Sequence, residues 1–250
     1  MNGISDHKTL KTVLGYFIFA VIMILTAVFL NKLFKAVCPD ERSIMTDSRQ
    51  DIRTVVIDAG HGGMDGGAVS VTGTLEKDLT LSLSGVLSDI FTASGYKAVM
   101  TREGDYMLTS KSESGGKKLQ DLKGRLETAE QYPDSSFISI HMNKFPSGKY
   151  SGMQVYYADK NVAGKSLADS IQRYGREYLQ PENLRETKGV GSSIFLLNNL
   201  KCRAVLVECG FISNEREAAL LDDESYRQKL ACVIFSAFAA DDGRASQSSR

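Results

Sequence analysis

Apolar positions along this chain follow two spacings. Short apolar runs that end at a histidine, a glycine or a charged residue are typical of strands buried on both faces of a sheet. Longer stretches, in which apolar residues recur every three or four positions, are typical of amphipathic helices. The first spacing predicts strands at residues 52–60, 96–102, 137–143, 152–158, 193–199 and 203–210. The second predicts helices at residues 76–94, 119–132 and 162–179, and a last helix that contains Tyr226 to Phe238.

The order of these predicted elements indicates the fold class. Strands that alternate with helices form sheets that are covered by helices on both faces. We therefore predict an α/β fold with a mixed, largely parallel central sheet of about six strands. Gly95 and Pro133 support two of the helix ends, since both residue types commonly follow a helix. Residues 52–240 are predicted to form a single domain, followed by a disordered tail at 241–250.

A separate apolar segment lies near the N-terminus. Residues 13–30 carry no charge and are flanked by lysines on both sides. At about 1.5 Å per residue, a helix of this length just spans a hydrocarbon core of about 30 Å. We predict a transmembrane anchor at 13–31, a cytoplasmic segment at 1–12 and a linker at 32–51.

A cleaved signal peptide is the alternative for this segment. Signal peptides usually have an apolar region of about 7–15 residues, with small residues before the cleavage site. The apolar run here is longer, and Lys35 and Val37 lie where small residues are expected. The pattern favours an uncleaved anchor, and it leaves open whether a secreted form arises by cleavage.

Charge and cysteine content exclude several classes of protein. Lys and Arg number 30, as do Asp and Glu, so no excess of positive charge favours nucleic acid as a partner. The four cysteines include no C-x-x-C pair, which argues against a cysteine-based zinc finger. Cys202 and Cys209 bracket a predicted strand and would lie about 23 Å apart, too far for a disulfide. We expect ordinary free thiols.

Four residues with metal-binding or acid–base side chains follow the predicted strands or begin a helix. His61 and His141 come at the ends of two strands, Glu208 comes near the end of another, and Glu76 begins the first long helix. In open α/β sheets, ligands bind beyond the carboxyl ends of the strands. We therefore expect these four side chains to converge at one edge of the sheet.

Taken singly, each of these residues has a structural explanation. A histidine at a strand end is commonly a hydrogen-bonded structural residue, and Glu76 fits an acid favoured by the helix dipole. Glu208 is harder to explain in this way, because a carboxylate in an apolar strand is costly to bury without a partner.

Taken together, two histidines and a carboxylate are a usual ligand set for catalytic zinc, and a further carboxylate can act as general base and acid. The set favours a metal-dependent hydrolase. Motifs of serine hydrolases, dinucleotide-binding loops, P-loops and H-E-x-x-H peptidases are absent from the sequence.

Several segments of the sequence form a recognisable series. They are VVIDAGHGGMDGGA (55–68), TLEKDLTL (74–81), FISIHMN (137–143) and AVLVECGFISNEREAALL (204–221), with TREGD (101–105) and LKGR (122–125) between them. In this order they resemble the signature segments of a known family, the zinc-dependent N-acetylmuramoyl-L-alanine amidases of the Amidase_3 type. The resemblance covers about residues 53–240. The family pattern has a proline where this chain has Gly66, a change that removes no ligand.

This resemblance implies a function and a role for each site residue. It implies that His61, Glu76 and His141 bind Zn²⁺ and that Glu208 is the catalytic glutamate. Glu208 would take a proton from the attacking water and pass it to the leaving nitrogen. The bond cut would be the amide between N-acetylmuramic acid and the L-alanine of the peptidoglycan stem peptide.

The resemblance also implies a setting. We expect an N-terminal anchor and no separate wall-binding module, an organisation that is similar to that of sporulation and germination amidases of the CwlD type, which act before muramic lactam forms in spore cortex. The catalytic domain would then lie outside the cytoplasmic membrane. Three alternatives stay open: a zinc peptidase that cuts within the stem peptide, a non-catalytic wall-binding protein, and an enzyme that needs a regulatory protein partner.

Overall fold

The computed structural model describes residues 53–109 and 115–248, together with Met23, Thr26 and Lys32. The chain divides into two units, residues 1–51 and 52–250, and the second contains nearly all the described residues. Apart from three single positions, the predicted anchor and linker lie outside the described residues. Among the helices that are described, none is both long and apolar enough to cross a bilayer.

The second unit is built on one sheet of six strands in the order β2-β1-β3-β6-β4-β5. The strands are β1 (Thr54–Ala59), β2 (Lys97–Met100), β3 (Ser136–Asn143), β4 (Gln154–Ala158), β5 (Lys188–Val190) and β6 (Arg203–Phe211). Strands β2, β1, β3 and β6 are parallel, β4 is antiparallel to β6, and β5 is parallel to β4. The predicted mixed, largely parallel sheet is confirmed.

Helices cover both faces of this sheet, as predicted. They are α1 (Glu76–Ala93), α2 (Lys117–Glu130), α3 (Val162–Tyr178), α4 (Phe195–Asn199), α5 (Glu215–Asp222) and α6 (Glu224–Ser248). Helices α1, α3 and α6 pack on one face and share one apolar core, whereas α2 and α4 pack on the other face in a second core. Helix α1 ends at Ala93, and Gly95, whose φ is 86° and whose amide donates to the carbonyl of Thr92, is the expected glycine after the helix.

The continuous apolar runs of the strands follow from this double cover. In β1, Val55 and Ile57 belong to the first core, and Val56, which points the other way, belongs to the second. All three side chains are fully buried. A strand that is covered on both faces is apolar at most positions on either side, so its sequence loses the alternation of a half-exposed strand.

Two predictions about secondary structure are wrong. Residues 193–199, predicted as a strand, contain the short helix α4 (Phe195–Asn199), and the fifth strand of the sheet is Lys188–Val190 instead. A short apolar run suits either element, and here Leu196 and Leu197 pack on the second core from a helix. The three described cysteines, Cys202, Cys209 and Cys232, are free, as predicted.

The predicted disordered tail, residues 241–250, is helical as far as Ser248. Asp241 and Asp242 are buried there, and both pair with Arg203, at 3.0 and 3.4 Å. Asp242 also pairs with Arg53. The two arginines lie at the start of β6 and just before β1, far from residue 241 in the sequence. The sequence around residues 241–250 therefore could not predict these ion pairs.

Candidate active site

Four elements bring the predicted site residues to one edge of the sheet. His61 follows β1, His141 lies near the end of β3, and Glu208 lies in β6. Glu76 is the first residue of α1, the helix that follows the glycine-rich loop after β1. Because β1, β3 and β6 are adjacent and parallel, their carboxyl ends lie side by side.

His61, Glu76 and His141 form a compact group of potential metal ligands. One ligand atom from each lies within 4.8 Å of the other two. The Oε1 atom of Glu76 is 3.1 Å from Nε2 of His61 and 3.1 Å from Nδ1 of His141. The two imidazole rings meet edge to face, with centroids 4.9 Å apart. Two imidazole nitrogens and one carboxylate oxygen therefore face a common point.

The carboxylate of Glu76 is held in place by backbone hydrogen bonds. Its Oε1 accepts from the amide of Met142 at 3.0 Å, and its Oε2 accepts from the amide of Ala68 at 2.9 Å. Burial disfavours the charged form of this group, but His141 and His61 outweigh that effect and hold the pKa of Glu76 well below its ordinary value. Glu76 therefore presents a fixed, ionised carboxylate that could bind a cation, and it is not only an acid at a helix terminus.

Asp65 orients the first histidine. Its Oδ2 lies 3.0 Å from Nδ1 of His61, on the side of the ring away from Glu76. Burial disfavours the imidazolium, but Glu76 and Asp65 outweigh it and raise the pKa of His61. A proton on Nδ1, bonded to Asp65, leaves the Nε2 lone pair for a metal. Sequence analysis gave Asp65 no role, although its place four residues after His61 in a glycine-rich turn was a signal.

Two glycines allow these side chains to approach one another. A Cβ atom on Gly60 would lie 2.4 Å from Cε1 of His141. On Gly67, where φ is +67°, it would lie 2.7 Å from Oε2 of Glu76 and 2.8 Å from Cδ2 of His61. Real Cβ atoms do not make such contacts. Any side chain at either position would push the ligands apart.

Glu208 lies beside this group without belonging to it. Burial raises its pKa to about 7, and the nearby Glu76 adds to the rise while His141 opposes it. Within the described part of the chain, its buried Oε2 atom has no hydrogen-bond partner. Buried carboxylate oxygens are normally satisfied, so an unpaired one beside a ligand cluster is typical of a group reserved for a substrate or water.

The cluster opens into a cavity of about 460 Å³. His61, Glu76, His141 and Glu208 all line it. Lys118 and Lys144 also line it and supply positive charge, and residues 193–196 add a largely apolar wall. A cavity of this size can accept a part of a large substrate next to the four site residues.

The donor set fits zinc. Structural zinc sites use four protein ligands, whereas catalytic sites use three, commonly histidine and glutamate, and leave a position for water or substrate. Here three ligands converge, and they open into the cavity beside an unpaired carboxylate. The arrangement suits metal-assisted hydrolysis.

Comparison with known proteins agrees with this geometry. Residues 55–240 match the Amidase_3 family, described as N-acetylmuramoyl-L-alanine amidase. A germination-specific N-acetylmuramoyl-L-alanine amidase of Bacillus subtilis is 36% identical over 185 residues, which are 73% of this chain and 77% of that protein.

Solved structures show the same relationship. The CwlD amidase of Clostridioides difficile, solved in complex with the GerS lipoprotein, matches with a TM-score of 0.68 and 33% identity, over 76% of this chain and 98% of that one. The amidase AmiC2 of Nostoc punctiforme matches with a TM-score of 0.65 and 28% identity, over 75% and 96%. With its four site residues at one sheet edge and a family match over residues 55–240, this chain belongs to the Amidase_3 family of N-acetylmuramoyl-L-alanine amidases.

Proposed function

We propose that this protein is a zinc-dependent N-acetylmuramoyl-L-alanine amidase that acts on peptidoglycan. The observation that carries the proposal is the convergence of His61, Glu76 and His141, with the unpaired carboxylate of Glu208 beside them. The family match and the named relatives supply the reaction class. The bond cut is the amide between the lactyl group of N-acetylmuramic acid and the L-alanine of the stem peptide.

His61, Glu76 and His141 would hold the metal. When bound there, a zinc ion would supply a Lewis acid that polarises the scissile carbonyl and lowers the pKa of water. The ionised state of Glu76 and the bond from His61 to Asp65 prepare the ligands for a cation.

Glu208 moves the proton. It accepts one proton from the attacking water and donates it to the nitrogen of the departing L-alanine. Its position suits this task, because its carboxylate lines the cavity and is not tied to another side chain. The burial that raises its pKa also makes it a competent acid near neutral pH.

The named relatives support a biological setting for this activity. A germination-specific relative and a CwlD neighbour support a role in spore cortex, where removal of stem peptides precedes formation of muramic lactam. Peptidoglycan lies outside the cytoplasmic membrane, so the catalytic unit would lie there, anchored through residues 13–31. The CwlD neighbour was solved with a lipoprotein. By analogy we propose that a regulatory protein partner also binds this chain.

Product analysis tests the proposal. The full-length protein, purified in detergent, would be assayed for bound metal and incubated with purified peptidoglycan with and without a chelator. We expect about one zinc ion per chain and, by mass spectrometry, intact stem peptides that begin with L-alanine. Products cut within the stem peptide would indicate the zinc peptidase instead.

The same assay separates the remaining alternatives. Activity that appears only after addition of a partner lipoprotein would indicate a partner-dependent enzyme. Binding to peptidoglycan without any product, even with such a partner, would indicate a wall-binding protein and contradict the proposal.

A further inference from the structure

His61 has an unusual backbone conformation. Its φ angle is +61°, and no other non-glycine residue in the described ranges has a positive φ. The left-handed region is unfavourable for residues with a side chain, and such residues persist there only when their surroundings enforce it. The first ligand of the metal centre is therefore held in a conformation that its own sequence does not favour.

Two buried arginines contact the backbone at this point. Arg125 donates from Nη1 to the carbonyl of Ala59 at 2.7 Å and from Nη2 to the carbonyl of His61. Arg102 donates from Nε to the carbonyl of Ala59 and from Nη2 to that of Gly60, both at 2.9 Å. Each arginine is 1% exposed. The carbonyls of three successive residues, 59–61, thus accept hydrogen bonds from two guanidinium groups.

Each arginine also contacts another part of the site. Arg102 donates to the carbonyl of Lys77 at 2.8 Å, in the first turn of α1 next to Glu76. Arg125 pairs with Asp58 at 2.6 Å, and Asp58 accepts from Ser139 at 2.6 Å on β3. The two guanidinium groups therefore connect the His61 loop to the segments that carry the other two ligands.

Arginine is the residue type that this arrangement needs. Its planar group has donors pointing in several fixed directions, so it can bond to adjacent carbonyls and a carboxylate at once, whereas lysine presents a single point of attachment. The pair is also costly to bury, since the charge of Arg125 adds to burial in lowering the pKa of Arg102. If these two side chains served only to fill space in the core, apolar residues would be less costly to bury at the same positions.

We propose that Arg125 and Arg102 are positioning residues, which set the affinity of the metal centre by holding the backbone of His61 in its left-handed conformation. Neither side chain is a ligand; both act through the carbonyls of residues 59–61. The two arginines lie in TREGD and LKGR, segments to which no role was assigned. This inference rests on the proposed function, because it concerns the metal that the function requires.

The matched pair Arg125→Lys and Arg203→Lys tests the inference in the full-length protein. Arg203 also forms ion pairs with buried aspartates, but it begins β6 at the opposite edge of the sheet. Zinc affinity would be measured by competition with a chromophoric chelator, Co²⁺ coordination by visible spectroscopy and stability by thermal unfolding. We expect Arg125→Lys to bind zinc about tenfold or more weakly and to change the Co²⁺ spectrum. Arg203→Lys should lower the melting temperature alone.

The outcomes are distinct. If folded Arg125→Lys keeps the zinc affinity and Co²⁺ spectrum of the parent, or if Arg203→Lys weakens zinc equally, the inference is wrong. Should Arg125→Lys fail to fold, Arg102→Lys decides by the same two readouts. A parent protein that binds no zinc contradicts the proposed function itself, whereas a zinc-binding parent beside unaffected variants contradicts only the positioning role.

Discussion

Glu208 lies directly across from His141 in the register of the parallel strands β6 and β3. Residues paired in this way present their side chains on the same face of a sheet, so the carboxylate of Glu208 comes next to the ligand cluster. The register shifts immediately afterwards, between His141 and Asn143. The sheet thus places one carboxylate beside the potential metal ligands while three other side chains form the cluster itself.

This relationship predicts the effect of Glu208→Gln. The variant keeps the size of the side chain but cannot accept a proton, so turnover of peptidoglycan should fall about 10²–10⁴-fold. Its zinc content should equal that of the parent, because Glu208 is not among the clustered ligands. Product release measured by mass spectrometry, together with metal analysis, checks both parts.

Glu217→Gln is the control for this variant. Glu217 is also a buried glutamate, but its two oxygens accept from the amides of Gly152 and Phe211. Its replacement should lower stability and leave turnover of the folded protein close to that of the parent. Near-normal activity of Glu208→Gln would show that the proton is carried by another group.

Asp65→Ala should weaken zinc binding. The substitution removes the acceptor for Nδ1 of His61, which fixes the ring orientation and the protonated nitrogen. Loss of such a partner typically reduces metal affinity about 10–100-fold. Competition with a chelator measures the change. Asp159→Ala, at an exposed position just after β4, should bind zinc as the parent does, and equal affinities of all three proteins would contradict the role of Asp65.

Gly60→Ala should disrupt the centre by steric contact. The new methyl group would lie within 2.8 Å of three atoms of the His141 ring, so the ring must move. We expect zinc affinity and thermal stability both to fall. Gly85→Ala is the matched control, because a Cβ there meets nothing within 4 Å in the middle of α1.

The control Gly85→Ala should raise thermal stability, whereas Gly60→Ala should lower it. Alanine in a helix interior is favoured over glycine by about 1 kcal/mol, so Gly85→Ala should raise the melting temperature with zinc affinity unchanged. If Gly60→Ala behaved like Gly85→Ala, the close packing of Gly60 on His141 would not be a requirement of the site.

The buried carboxyl group of Asp58 should make the free energy of unfolding depend on pH. It is fully buried, and although burial opposes ionisation, Arg125, Ser139, His141 and Thr101 hold its pKa below the ordinary value. A carboxyl group whose pKa is lower in the folded state stabilises the fold above its unfolded-state pKa, and this contribution is lost as the pH falls through the folded-state value.

Asp58→Asn should therefore destabilise the protein at pH 7, by about 3 kcal/mol, because it leaves Arg125 with only one carboxylate partner. The difference from the parent should shrink below about pH 4, where the carboxyl group of Asp58 takes up its proton in the unfolded parent while it stays ionised in the folded one. Urea unfolding at a series of pH values measures this. A difference that stays constant down to pH 3 would contradict the assigned pKa direction.

Local patterns in the sequence determined most of the fold and the positions of four site residues. Periodicity identified five of the six strands, since both faces of the sheet are covered and their apolar runs are continuous. The rule that parallel strands share one carboxyl edge was then sufficient to predict that His61, Glu76, His141 and Glu208 converge. These predictions depend only on residue type and spacing.

The tertiary structure decided whatever depends on contacts between distant segments. Residues 193–199 became a helix because packing on the second core, and not local pattern, selects between the two forms of a short apolar run. Helix α6 continues to Ser248, and Asp241 and Asp242 within it meet arginines from β6 and from the start of the domain. Likewise, only the folded chain brings Arg102 and Arg125 to the carbonyls around His61, because a sequence specifies which donors exist and folding specifies which acceptors they reach.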